Sequence, residues 1–145
     1  MMWVMDWSNV TGSEEDFDTL GWHDVAVHAI ALEPATTHPG SLAFDLDYIV
    51  EWIASDEPGG PYRFRIAPAT LVFPMASNIS LTASTESMVN QLEINEIIRV
   101  PIDVPSGAHG FFHWTVAGQN FNVEFDARGF KQHFRRDAIV VVARA

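Results

Sequence analysis

Leu42-Ala43-Phe44-Asp45-Leu46-Asp47-Tyr48-Ile49 sets large apolar side chains at every second position and puts Ala43, Asp45 and Asp47 between them. Successive side chains of a strand point to opposite faces, so this alternation predicts a strand with one buried and one solvated face. The same period recurs in His23 to Leu32, where Val25, Val27 and Ala29 form one face and Asp24, Ala26, His28, Ile30 and Leu32 the other. Downstream, Tyr62, Phe64 and Ile66 alternate with Arg63 and Arg65. Ala67-Pro68 interrupts that run, and a bend, bulge or edge position is expected because proline cannot donate to a central ladder. Ala69 to Phe73 resumes it, and Pro74 stops it.

Outward from this centre the chain continues in short extended segments. Glu33 to Ser41 and Ser55 to Pro61 are Pro- and Gly-rich turns. Ile79 and Leu81 suggest a short strand, Ser84 to Gln91 one helical turn, and Leu92, Ile94 and Ile97 to Val100 extended structure. Phe111 to Val116 and Phe121 to Ala127 flank Ala117-Gly118-Gln119-Asn120, a hairpin signal. Gly129 to Phe134 and Ala138 to Val142 close the series. The expectation is an all-β fold, a single-domain antiparallel sandwich or barrel of about eight or nine short strands with at most one or two short helices. The domain spans 1–145, with 1–21 as a lead-in segment and 22–145 as the β core. Within the lead-in, a short helix from Ser13 would place Glu14, Glu15 and Asp16 in its first turn, where the helix dipole favours anions.

The 145 residues are 48% apolar and 12% aromatic, a globular composition long enough for one continuous core. There is no cysteine, which removes disulfides, thiolate metal sites and a cysteine nucleophile. The first residues lack a basic stretch followed by an apolar run, and the longest apolar run, Ala138 to Ala143, is too short to span a bilayer as a helix. A soluble cytoplasmic protein is the simplest expectation, with no membrane as partner.

Charge is distributed unevenly. Residues 1–62 hold twelve Asp or Glu and no Lys or Arg, whereas residues 63–145 hold seven acids and eight basic residues. An acidic first half repels phosphate backbones, so nucleic acid is not an expected partner. It suits a basic protein partner or a bound cation, and a solvated surface that maintains solubility is the simpler reading.

His23, Asp24, His28, Asp45 and Asp47 have the side chains of a metal or acid–base site. On a strand His23 and His28 face opposite sides, while Asp24 and His28 share a face about 13 Å apart. Only cross-strand neighbours could unite them. With Ala29 opposite Phe44, Val27 meets Leu46, His28 meets Asp45 and Ala26 meets Asp47, which groups His28, Asp45 and Asp47. A polar pair between strands is the simpler expectation, so no metal, cofactor or catalytic residue is assigned. An enzyme with its site around His28, Asp45 and Asp47 is the alternative. His113 with a carboxylate is a second acid–base candidate. No nucleophile elbow, phosphate-cradling glycine loop or His-Glu-x-x-His motif is present. Arg128, Lys131, Arg135 and Arg136 form a basic end that can bind an anion or balance the acidic half. Trp3 and Trp7, with Glu14, Glu15 and Asp16, are the candidate partner surface, and Trp114 is expected inside.

Three segments also carry a resemblance. Trp22-His23-Asp24-x-x-Val27-His28, Phe44-Asp45-Leu46-Asp47-Tyr48-Ile49-x-x-Trp52 and Ala67-Pro68-Ala69-Thr70-Leu71-Val72-Phe73 resemble a family of small bacterial proteins with no assigned activity, over most of residues 22–100. The wider pattern, with its late Phe-x-Val-x-Phe strand, is loosely similar to predicted all-β immunity proteins of polymorphic toxin systems. The resemblance implies a non-enzymatic, protein-binding, possible immunity-type role and supplies no catalytic residues. A homo-oligomeric structural protein is a further alternative.

Overall fold

The computed structural model describes residues 10–34, 40–61, 63–84 and 92–142. Its strands are β1 (Val10–Ser13), β2 (Val25–Glu33), β3 (Ser41–Ile53), β4 (Arg63–Phe73), β5 (Ser77–Ala83), β6 (Leu92–Pro101), β7 (Phe111–Gly118), β8 (Phe121–Arg128), β9 (Lys131–Phe134) and β10 (Ile139–Val142). One 3-10 turn, Glu14–Asp16, follows β1. All pairings are antiparallel, in the order β1-β9-β4-β3-β2-β6-β7-β8-β5, with β10 beside β4. The sheet does not close on itself, and the fold is all-β and sandwich-like. No helix among the described residues is long and apolar enough to cross a membrane.

The alternating strands explain how one sheet makes two layers. On β3 Phe44, Leu46 and Tyr48 are buried, on β4 Ala67, Ala69, Leu71 and Phe73, and on β8 Phe121, Val123, Phe125 and Ala127. These faces meet: Phe125 lies 4.7 Å from Phe73 and 6.4 Å from Phe44 between ring centroids, and Phe73 lies 4.9 Å from Trp114. Each large side chain so buried contributes about 1.5–3 kcal/mol, and the edge-to-face contacts suit the charge distribution of aromatic rings. The layers join where Val25–Val27 of β2 pair with Leu92–Ile94 of β6. They join again through Pro74-Met75-Ala76, with Met75 in the left-handed region at φ 53°. There Ala76 N–H donates to Gly40 O at 2.8 Å and Arg128 N–H to Pro74 O at 3.0 Å.

Pro68 does not break β4. β4 pairs with β10 at Arg63–Ile66 and with β9 at Ala69–Val72, so Pro68 stands in the gap between those two neighbours. Its missing N–H is not needed there, and its carbonyl accepts the Arg135 N–H at 2.7 Å. The strand remains in register with β3, Pro68 opposite Asp47.

The lead-in expectation is corrected for residues 10–21. Val10–Ser13 pair with Lys131–His133 of β9, and Phe17 and Leu20 pack against the core. In place of the short helix expected from Ser13, a single 3-10 turn forms at Glu14–Asp16, and Asp16 Oδ2 accepts the Ser13 N–H at 3.1 Å, the reach-back of a capping box. Trp3 and Trp7 lie outside the described residues, as does the helical turn expected before Gln91, apart from Ser84.

Candidate functional site

The expected register of β2 on β3 holds at Ala26, opposite Asp47, and at Val27, opposite Leu46. It fails at His28. Ala29 rather than His28 stands opposite Asp45, and Ile30 rather than Ala29 stands opposite Phe44, so His28 is one residue extra on β2. Such a bulge re-aims a side chain. His28 Nε2 meets Asp47 Oδ2 at 2.8 Å, not Asp45. Asp45 instead accepts from Thr70 Oγ1 at 3.0 Å and lies 4.0 Å from Arg135 Nε. His28, Asp45 and Asp47 thus share the outer face of the first layer but divide into two partnered sets. Arg135 of the basic end is spent on this face, with its Nη2 donating to Ala69 O at 3.5 Å. His133, opposite Thr70 on β9, has its pKa lowered by burial and by the Lys131 charge.

His23 and Asp24 precede the strand, so strand parity does not separate them. Asp24 takes the left-handed conformation at φ 63°, which aspartate tolerates. His23 Nε2 then lies 3.5 Å from Asp24 Oδ1, and both are exposed. His23 Nδ1 meets Asn95 O at 3.1 Å. Among the described residues no group of three or more His, Asp or Glu is arranged to hold a metal ion.

The His113 candidate finds two carboxylates on the outer face of the second layer. His113 Nδ1 lies 2.8 Å from Asp126 Oδ1 and Nε2 3.3 Å from Glu124 Oε1. Hydrogen bonds to Asp126 and Glu124 raise the imidazole pKa against an opposing burial effect. Burial pushes the Asp126 carboxyl up, but the hydrogen bonds from Asn78 and His113 and the imidazolium charge outweigh it and leave it low. Both imidazole nitrogens are engaged by carboxylates, which suits a cationic cross-strand clamp better than a proton shuttle.

Sequence reasoning missed a groove of about 360 Å³ between the loop after the 3-10 turn and β6. Phe17, Leu20, Trp22 and Ile97 give it an apolar lining, and Asp18 and Glu96 stand at it. Glu15 and Asp16, from the expected partner surface, are exposed one turn away, and Glu14 belongs to the same turn.

The loop is pinned at several points. Trp22 Nε1 donates to Gln132 Oε1 at 2.9 Å, Gly21 N–H to Tyr48 Oη at 3.3 Å, and Asp24 N–H to Ile94 O at 2.9 Å. Burial raises the Tyr48 pKa against the opposing Gly21 hydrogen bond. Arg99 of β6 holds its guanidinium 4.2 Å from the Phe17 ring centroid and 4.4 Å from that of Phe112. Burial lowers its pKa. A cation so sandwiched fixes Phe17 beneath the groove. The signal for this site was present as Phe17, Leu20 and Trp22 set among acids, a spacing too irregular for either strand or helix.

A second cleft of about 280 Å³, lined by Leu32, Pro34, Gly40 and Ala76 among others, lies at the β2–β3 end. No protein-family model matches the chain, and no curated protein or solved structure matches it significantly.

Proposed function

We propose that the protein is a non-enzymatic protein-binding module whose groove between the Phe17–Asp24 loop and β6 seats a basic, partly apolar segment of another protein. The observation that carries this reading is the composition of the groove: Phe17, Leu20, Trp22 and Ile97, with the acids Asp18 and Glu96 and the polar His23 and Asn95 beside them. An apolar anchor gains from leaving water, while carboxylates at the margin favour Lys or Arg on either side of it. The pinned loop supports the reading further, because a site held in shape before binding loses little entropy on association.

The charge distribution adds long-range attraction. A chain of net charge −11 whose acids dominate residues 1–62 draws in a basic partner and makes the encounter sensitive to salt. A cytoplasmic immunity-type protein that masks a basic toxin has these requirements, and that role is the specific form of the proposal.

Fluorescence anisotropy with a labelled peptide alternating Lys or Arg with Leu tests it. The peptide is expected to bind, to weaken as salt rises, and to lose about three- to tenfold in affinity when Asp18→Asn and Glu96→Gln are combined, as removal of two exposed charges implies. An acidic peptide of the same length is the control. Binding that is indifferent to both neutralisations, or no binding at low salt, overturns the groove as the site.

A further inference from the structure

We infer that the groove takes its basic partner segment as an added β-strand, hydrogen-bonded to the side of β6 that faces away from β7. β6 stays in unbroken register with β7 from Glu96 to Pro101. On its other side β2 pairs with it only at Leu92–Ile94, and among the described residues no strand continues from there. Hydrogen bonds mark where β2 stops. Asp24, in the left-handed region, donates its N–H to Ile94 O at 2.9 Å, and the His23 ring meets Asn95 O at 3.1 Å. Upstream of these two residues the chain lies in the loop that forms the other wall of the groove, so the slot in line with β2 is the groove itself.

The ladder between β6 and β7 shows what that slot offers. Ile102 N–H donates to Phe111 O at 3.1 Å. Antiparallel neighbours exchange hydrogen bonds at every second residue, so Val100 with His113 and Ile98 with Thr115 continue the series. Ile97 has the other parity. It turns its N–H and C=O away from β7, to the side where its own side chain lines the groove. Main-chain groups so placed template another strand.

The faces of β6 state which sequence fits. Ile97 stands opposite the buried Val116 and is on the inner face, whereas Glu96 and Ile98 stand opposite Ala117 and Thr115 on the outer face. Residues paired across a sheet share a face. A segment laid beside β6 therefore turns every second side chain inward, onto Phe17, Leu20, Trp22 and Ile97, and the others outward beside Glu96. Apolar residues alternating with Lys or Arg match that division. A helix of the same composition does not, because its side chains repeat every 3.6 residues. Charge selects the same occupant. Glu96 is exposed on β6 and Asp18 on the facing wall, and the chain carries −11 overall, so an acidic strand or a second copy of this chain is repelled where a basic strand is attracted.

Strand addition presupposes that the groove binds, and it can fail while the groove stands. The test sets the full chain against the alternating Lys–Leu peptide, the same peptide N-methylated at its Leu amides, and the same peptide N-methylated at its Lys amides. A strand aims only alternate N–H groups at its neighbour. Anisotropy is therefore expected to show one methylated peptide losing about tenfold or more in affinity, as lost main-chain hydrogen bonds imply, while the other binds like the parent. Amide hydrogen exchange in the complex is expected to slow about tenfold or more at Ile97 and to stay unchanged at Ile98, which is already bonded to Thr115. If the parent peptide binds but both methylated peptides bind alike, or exchange at Ile97 does not slow, strand addition is overturned and the groove remains the site. If the parent peptide does not bind at low salt, both are overturned.

Discussion

Trp22 Nε1 donates a hydrogen bond to Gln132 Oε1 at 2.9 Å across 110 residues of sequence, and both side chains are buried. The bond ties the loop that lines the groove to β9 through the interior. Replacing Gln132 by leucine leaves the indole N–H buried without its acceptor. The expected cost is about 1–3 kcal/mol, read as a lower urea midpoint with an unchanged denaturant slope. The groove peptide is expected to bind this variant more weakly, because its lining loses a fixed point.

The clamp of His113 with Asp126 and Glu124 predicts a pH dependence of stability. The His113 pKa is raised in the fold, so its contribution is complete below the unfolded value near 6.5 and is lost as pH rises through the folded value. The Asp126 pKa is lowered, so its contribution is complete above the unfolded value and is lost as pH falls through the folded value. Both operate together between about pH 4 and pH 6.5. His133 works in the other sense: its lowered pKa makes protonation costly to the fold as pH falls through the ordinary histidine range. The difference between wild type and His113→Gln isolates the clamp. That difference in urea midpoint is expected to be larger at about pH 5.5 than at about pH 8.5, because a raised pKa stabilises the fold more at lower pH. An equal difference at both pH values rules out the charged clamp.

Phe125 touches Phe44 and Phe73 from the opposite layer and is fully buried. Phe125→Ala opens a cavity at the junction of the layers, with an expected loss of about 3–5 kcal/mol. Against a typical domain stability of about 5–15 kcal/mol, that loss removes much of the margin. Thermal unfolding followed by circular dichroism reads it directly.

What the sequence made legible follows from how local each feature is. The alternation of Phe44, Leu46 and Tyr48 with Asp45 and Asp47, and the β7–β8 hairpin around Gln119-Asn120, are written within single segments, and both form as expected. Trp114 was legible as core for the same reason. The pairing of His28 was not, because one extra residue on β2 shifts every partner beyond it and leaves no mark in composition. Pro68 read as an interruption because the gap between β9 and β10 exists only once both have docked on β4. β1 is four residues long, too short for a period of two to register. The groove joins Phe17 and Trp22 to Ile97, and no pattern along one stretch of chain connects them.

The strand order also bears on the sequence of folding events. β6, β7 and β8 follow one another in the chain and pair as neighbours, β7 and β8 through the tight turn Gln119-Asn120, so they close with small loop entropies. β1 and β9 bring opposite ends of the chain together, and their pairing needs most of the chain already gathered. The β7–β8 hairpin is thus suited to serve as an early nucleus, and the docking of β1 on β9 to come last. Hydrogen exchange should report the same hierarchy in the native state, with the β7–β8 amides opening only on global unfolding and those of β1 opening first.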